Sequence, residues 1–86
     1  MVKRIPATVR LPFGFKVKII QVAHEDFVND FGARSKAAWV DDERTIYLDQ
    51  SRPIRKRRAD LAHELGHVVM DYQAQVLGSR YADAKG

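Results

Sequence analysis

The sequence predicts a small α+β domain in which a sheet containing a β-hairpin packs on one long helix. Two patterns indicate this. Apolar and polar residues alternate at the start of segment 15–22, which is typical of a strand. Apolar residues also follow the spacing of one face of a helix, at Ile54, Leu61, Leu65, Val68, Val69, Tyr72 and Val76. A length of 86 residues fits one domain, so we treat residues 1–86 as a single unit.

The N-terminal part of the chain supplies the first strands. Residues 2–11 alternate only weakly and are interrupted or followed by prolines, which favours an extended edge or arm. Segment 15–22 is the first well-patterned strand. Residues 24–31 are expected to form a short helix or a loop that Gly32 closes.

A β-hairpin is predicted in the middle of the chain. Two strand-like segments, 37–40 and 45–48, flank the polar segment 41–44, which contributes nothing to a core. Polar turn residues between two apolar segments favour a hairpin, although the Asn-Gly pair of the tightest turns is absent.

The long helix follows the hairpin. Asp49 or Ser51 can cap its start, and Pro53 suits a first helical turn. Gly78 is a plausible end, because glycine is favoured just beyond the last helical residue. The tail 79–86 is then expected to be short and irregular.

Composition narrows the classes of function. There is no cysteine, so disulfides and thiolate metal sites are excluded, and a transition metal would need histidine and carboxylate ligands. The first residues carry basic side chains and prolines rather than the apolar stretch of a signal peptide. No segment approaches membrane-spanning length, so we expect a cytoplasmic protein without membrane contact. The net charge of +4 permits nucleic-acid binding, but much of it sits in segment 52–58, which is read as a solvated helix face.

One motif in the long helix carries catalytic chemistry. His63 and His67 are four residues apart, so both imidazoles lie on one helical face and can reach one zinc ion. Glu64 follows the first histidine and projects beside the ion, where it can act as general base. The sequence therefore predicts one Zn²⁺ per chain, bound by His63 and His67, with Glu64 as the catalytic residue.

This helix and the hairpin before it resemble those of gluzincin metallopeptidases, in particular the minimal ImmA/IrrE-type members. The resemblance rests on segment 59–70, which contains the HExxH motif, and on segment 39–49, and it covers roughly residues 37–72. It implies a zincin-like minimal domain, in which a small twisted sheet with a hairpin packs on one active-site helix. It also implies hydrolysis of peptide bonds by metal-activated water, with endopeptidase action on a peptide or protein substrate.

The chain departs from this family at the third metal ligand. The family takes a glutamate from a second helix downstream, and no glutamate follows Glu64 here. Asp71 lies too far along the helix axis to reach the ion, but it can hold the distal nitrogen of His67 or be solvated. Asp83 can return to the ion if the helix ends near Gly78, and we assign it as the third ligand. The alternatives are a ligand from another chain, water, or a site that has lost its metal.

Other residues have weaker functional interpretations. His24 is expected to be solvent-exposed, with metal ligation as the functional alternative. Tyr72 is expected in the core, whereas Tyr81 is freer to donate a hydrogen bond to an oxyanion. Trp39 is expected to anchor the hairpin. The family resemblance also implies that a strand edge near the helix can pair with an extended peptide substrate. The alternative function is a non-catalytic zinc-binding module that contacts nucleic acid or a partner protein through segment 52–58.

Overall fold

A computed structural model describes the backbone of residues 4–85 and the side chains of residues 4–12 and 14–74. Four strands and two α-helices confirm the α+β prediction, and a short 3₁₀ turn, Pro12–Gly14, precedes the second strand. In chain order the elements are β1 (Thr8–Arg10), β2 (Lys16–Val22), α1 (His24–Phe31), β3 (Ala37–Val40), β4 (Thr45–Asp49) and α2 (Ile54–Lys85).

The four strands form one mixed sheet in the order β1-β2-β4-β3. β1 pairs antiparallel with β2, and β3 pairs antiparallel with β4, so the predicted hairpin is present. β2 and β4 pair in parallel, which requires a crossover connection, and α1 and β3 supply it. This order leaves β3 at one edge of the sheet.

The core lies between α2 and one face of the sheet. Its buried members are Val17, Ile19, Ile46, Leu48, Leu61 and Val68. Alternate positions of a strand face the same side, so β2 and β4 each contribute two residues to this layer. Leu61 and Val68 are two helical turns apart and face the sheet together. Their burial fixes which side of α2 remains outward.

The opposite face of the sheet is covered in part by α1. Tyr47 lies between two core residues of β4 and therefore points away from α2. Its ring is 5.2 Å from that of Phe31, and Phe31 is 5.1 Å from the buried Phe27. α1 and α2 thus lie on opposite faces of the sheet.

The start of α2 agrees with the sequence prediction, but its end does not. The first bond of the helix runs from the Arg57 amide to the Pro53 carbonyl, at 2.9 Å. At the other end, α2 continues through Gly78 to Lys85, so the predicted stop and irregular tail are wrong. A glycine inside a helix costs only about 1 kcal/mol relative to alanine, and the good helix formers that follow offset it. Among the described residues, neither helix has both the length and the apolar character needed to cross a membrane.

Candidate metal centre

His63 and His67 converge on the outward face of α2. Their Nε2 atoms lie 3.0 Å apart, and their rings meet edge to face with centroids 4.5 Å apart. Two nitrogens bound to one tetrahedral zinc at about 2.0–2.1 Å would be separated by about 3.3 Å. The two imidazoles are thus arranged with their donor atoms at nearly the spacing that a shared zinc requires.

The packing of α2 explains why both histidines face outward. Leu61 and Val68 are buried against the sheet, and Leu65 packs against the same core. The histidines occupy the other side of the helix, and both are exposed. The hydrophobic face therefore sets the rotation of the helix, and the outward position of the two histidines follows from it.

Glu64 lies beside this pair in an open cavity of about 390 Å³. The cavity is lined by residues of α2 and of the segment that leads into β3, namely Arg34, Lys36, Ala37, Asp60, His63 and Glu64. Within the described part of the chain, the Glu64 carboxylate has no hydrogen bond or ion pair, so its oxygens remain available to water or substrate.

A third protein ligand is not found among the described residues, which contain no group of three or more histidine, cysteine, aspartate or glutamate side chains that could hold a metal. Asp71 lines a different cavity from Glu64 and makes no hydrogen bond to His67 in the described structure. The side chain of Asp83 lies outside the described residues. Because α2 does not end at Gly78, the backbone does not make the return to His67 that this assignment assumed.

Asp60, which precedes His63 by one turn, is engaged in an ion pair. Arg52 Nε donates to Asp60 Oδ2 at 2.6 Å. The sequence instead suggests Lys56 as its partner, from the spacing of four residues. Arg52 lies before the first turn of α2, so only the folded loop brings the two together.

Part of the basic segment 52–58 also has a structural role. Arg57 Nε donates to the Arg52 carbonyl at 2.8 Å, and the same guanidinium bonds the Gln21 side chain of β2. Arg55, Lys56 and Arg58 remain exposed. The cationic surface of this segment is therefore smaller than its sequence suggests.

His24 lies on the other face of the sheet and takes no part in the metal centre. Its Nδ1 is 2.7 Å from Oδ2 of the buried Asp49, whose other oxygen accepts bonds from the Ser51 amide and hydroxyl. Burial would raise the pKa of Asp49, but the bonds from His24 and Ser51 outweigh that effect and lower its pKa. Asp49 therefore joins α1 to the loop before α2, a role that its capping prediction missed.

The structure describes the side chains of two of the three aromatic residues to which the sequence assigns a role. Tyr72 is half-buried, with its ring 5.6 Å from that of Phe15, in keeping with the predicted core position. Trp39 lies in β3, half-buried and 6.4 Å from Phe15. The side chain of Tyr81 lies outside the described residues, so its interpretation as an oxyanion donor stays a prediction.

Comparison with known proteins bears on the family of the chain and not on the roles of single residues. A family model described as peptidase M78, IrrE N-terminal-like domain, matches residues 15–86, which is most of the chain. Neither the curated proteins nor the solved structures gave a match. The matched region includes the sheet from β2 onward and all of α2, and it extends beyond segment 37–72, on which the resemblance rested. The chain therefore belongs to the IrrE N-terminal-like family of peptidases.

Proposed function

We propose that this protein is a zinc-dependent metallopeptidase, with His63 and His67 as metal ligands and Glu64 as general base. The observation that carries the proposal is that the two Nε2 atoms lie 3.0 Å apart beside Glu64. The Glu64 carboxylate makes no hydrogen bond or ion pair with any described residue. Membership of the peptidase family supports the reaction class.

Each residue of the motif has a separate role. Zinc, when bound, supplies Lewis acidity that polarises a carbonyl oxygen and makes water more acidic. His63 and His67 would hold the ion, each through its Nε2 atom. Glu64 accepts a proton from the attacking water at its carboxylate and passes it to the nitrogen of the leaving amine.

The third ligand is a separate part of the proposal. Asp83 follows His67 by sixteen helical positions, about 24 Å along the axis at 1.5 Å per residue, which exceeds the reach of its side chain. We therefore propose that water, or a group from another chain, completes the coordination, and that Asp83 does not do so from within the same helix.

The proposed substrate is an extended peptide segment that pairs with β3. β3 is an edge strand, and Ala37 at its start shares the 390 Å³ cavity with Glu64. The backbone groups on the outer side of an edge strand are available to a further strand. A peptide added there would run past Glu64 and His63, which suits cleavage within a chain.

The test is Glu64→Gln, which keeps the size of the side chain but cannot accept the proton. We expect this variant to retain zinc and fold while losing hydrolysis by about 10²–10⁴-fold. Full-length protein would be incubated with peptides from a digested cell extract, and new peptide ends would be counted by mass spectrometry with zinc content measured in parallel. Glu25→Gln, an exposed change on α1, is the matched control. Undiminished cleavage by zinc-loaded Glu64→Gln, or no zinc-dependent cleavage by the unaltered protein, would refute the proposal.

Nucleic-acid binding is a less favoured function for the same chain. Arg52 and Arg57 are engaged within the fold, which leaves three exposed cations in the basic segment, Arg55, Lys56 and Arg58. Salt-sensitive nucleic-acid binding that is unaffected by Glu64→Gln would support the non-catalytic module instead.

A further inference from the structure

A second cavity, of about 520 Å³, lies between α2 and segment 34–44, as the Glu64 cavity does, and we call this surface between them the groove. Three aromatic rings and three carboxylates line most of it, and they belong to Phe15, Trp39, Tyr72, Asp41, Asp42 and Asp71. We call it the aromatic–acidic pocket. Its aromatic walls suit the apolar stem of a long cationic side chain, and its negative charge suits the cationic end.

Along α2, the Glu64 cavity lies at residues 60–64 and the aromatic–acidic pocket at residues 68–72, with His67 between them in sequence. Asp60, His63 and Glu64 line the Glu64 cavity, whereas Asp71 and other residues that follow His67 line the aromatic–acidic pocket. On the sheet side, the Glu64 cavity begins at Ala37 and the aromatic–acidic pocket extends to the turn that follows β3. A peptide paired with β3 would therefore reach both cavities.

The charge of the aromatic–acidic pocket is not balanced by the described residues that line it. Among these residues Arg44 is the single cation, against three aspartates. No ion pair involving these aspartates is found in the described structure. The guanidinium of Arg44 lies over the ring of Phe15, 4.7 Å from its centroid, so a cation already packs on one wall. Excess negative charge remains for a second cation.

We propose that the aromatic–acidic pocket is a specificity subsite for a lysine or arginine side chain of the substrate peptide, an inference that rests on the proposed peptidase function. The opposite end of the groove carries Arg34 and Lys36. Ala37 and Asp41 are four residues apart, or about 13 Å in an extended chain. The groove thus favours a segment whose basic residue lies in the pocket, with any acidic residue about four positions away at the other end.

The proposal is tested by binding, so that its outcome does not depend on cleavage. Trp39 is the only tryptophan, and its indole N–H gives a single NMR signal beside the pocket. The probes are seven-residue, end-blocked peptides of alternating threonine and valine with arginine, glutamine or glutamate at the centre. Each is titrated into the zinc-loaded, ¹⁵N-labelled Glu64→Gln protein, in which cleavage is suppressed.

The arginine peptide is expected to shift the Trp39 signal and to bind more tightly than the glutamine peptide, with the glutamate peptide weakest. Replacing the two turn carboxylates, Asp41→Asn with Asp42→Asn, should weaken the arginine peptide by roughly 2–10-fold, because two favourable charge contacts are lost. The control, Asp26→Asn with Asp30→Asn, removes the same charge from exposed positions of α1 and should change nothing.

Equal affinity for the three peptides, no binding at millimolar concentration, or an unchanged affinity in the Asp41/Asp42 variant would overturn the subsite. The proposed function is judged separately, on zinc content and on the loss of cleavage between the unaltered and Glu64→Gln proteins. A preference for arginine without zinc-dependent cleavage would therefore refute the peptidase proposal and not the charge preference of the pocket.

Discussion

His63, His67 and His24 differ in what surrounds each imidazole. The rings of His63 and His67 point at each other from successive turns of α2, whereas His24 is held by Asp49 on the opposite face of the sheet. Only the first two have a partner imidazole with which to share a metal. This difference makes His24 a natural control for experiments on the metal centre.

We predict about one zinc ion per chain, and loss of tight zinc binding in His63→Ala or His67→Ala, because either change leaves a single imidazole. His24→Ala should keep its zinc. Metal analysis of the purified proteins, followed by titration with a zinc-binding dye, measures both. An unaltered protein that carries no zinc and takes none up would contradict the prediction.

Asp49 gives a pH-dependent contribution to stability. Its pKa is lowered in the folded protein, so the stabilisation is present above the ordinary carboxyl pKa and is lost as the pH falls through the lowered one. Asp49→Asn should cost about 1–3 kcal/mol at pH 7, because the bonds to His24 and Ser51 are weakened at a buried site. Urea unfolding at pH 7 and pH 3 measures this difference in free energy. A cost that is as large at pH 3 as at pH 7 would show that the charge of Asp49 is not responsible.

The convergence of His63 and His67 could be predicted from the sequence, but the contacts of the residues around them could not. The spacing of His63 and His67 is a property of any helix, so it needs only the local apolar pattern. The contacts of His24 with Asp49, and of Arg57 with Gln21, join different elements. Their formation depends on how strands and helices pack, which periodicity does not specify.

The start of α2 could be predicted from the sequence, but its end could not. Its start follows from Pro53, whose fixed φ suits the first turn and which lacks an amide hydrogen. The sequence predicts an end at Gly78 because glycine often follows a helix, yet α2 runs seven residues further. Glycine permits the left-handed conformation that ends a helix but does not impose it.

Removing residues 79–86 tests whether this last part of α2 contributes to the metal centre. We predict that zinc affinity stays within about threefold of the unaltered chain, because Asp83 lies about 24 Å along the axis from His67. Competition with a chelator of known affinity measures the change, and Asp71→Asn can be compared in the same assay. If the shortened chain loses zinc tenfold or more, Asp83 is a ligand after all, supplied by another copy of the chain.

The positions of the strands could be predicted from the sequence, but their order in the sheet could not. Alternation identified β2 and the hairpin, but it does not say that β2 lies next to β4 or that the two run in parallel. That choice depends on burying Val17, Ile19, Ile46 and Leu48 together under α2. It is therefore a property of the packed domain as a whole.

A domain of this size has a thin core and should gain stability from a bound ion. We predict that a chelator lowers the melting temperature of the unaltered protein and leaves that of His63→Ala unchanged, because zinc stabilises only a folded state that binds it. Calorimetry with and without chelator gives the two shifts. Identical melting curves for the unaltered protein would mean that metal binding is not coupled to folding.

The free edge of β3 also affects how the protein behaves when it is concentrated. An edge strand that can accept a peptide can also accept the same strand of a second molecule. In an antiparallel pair of β3 strands, Arg34 and Lys36 of one copy would lie towards Asp41 and Asp42 of the other, so charge would favour the pairing rather than oppose it. Self-association through this edge would then compete with substrate. Dilution or added salt would separate the two copies and leave the β3 edge free for substrate. Specific activity would therefore fall as the protein concentration rises.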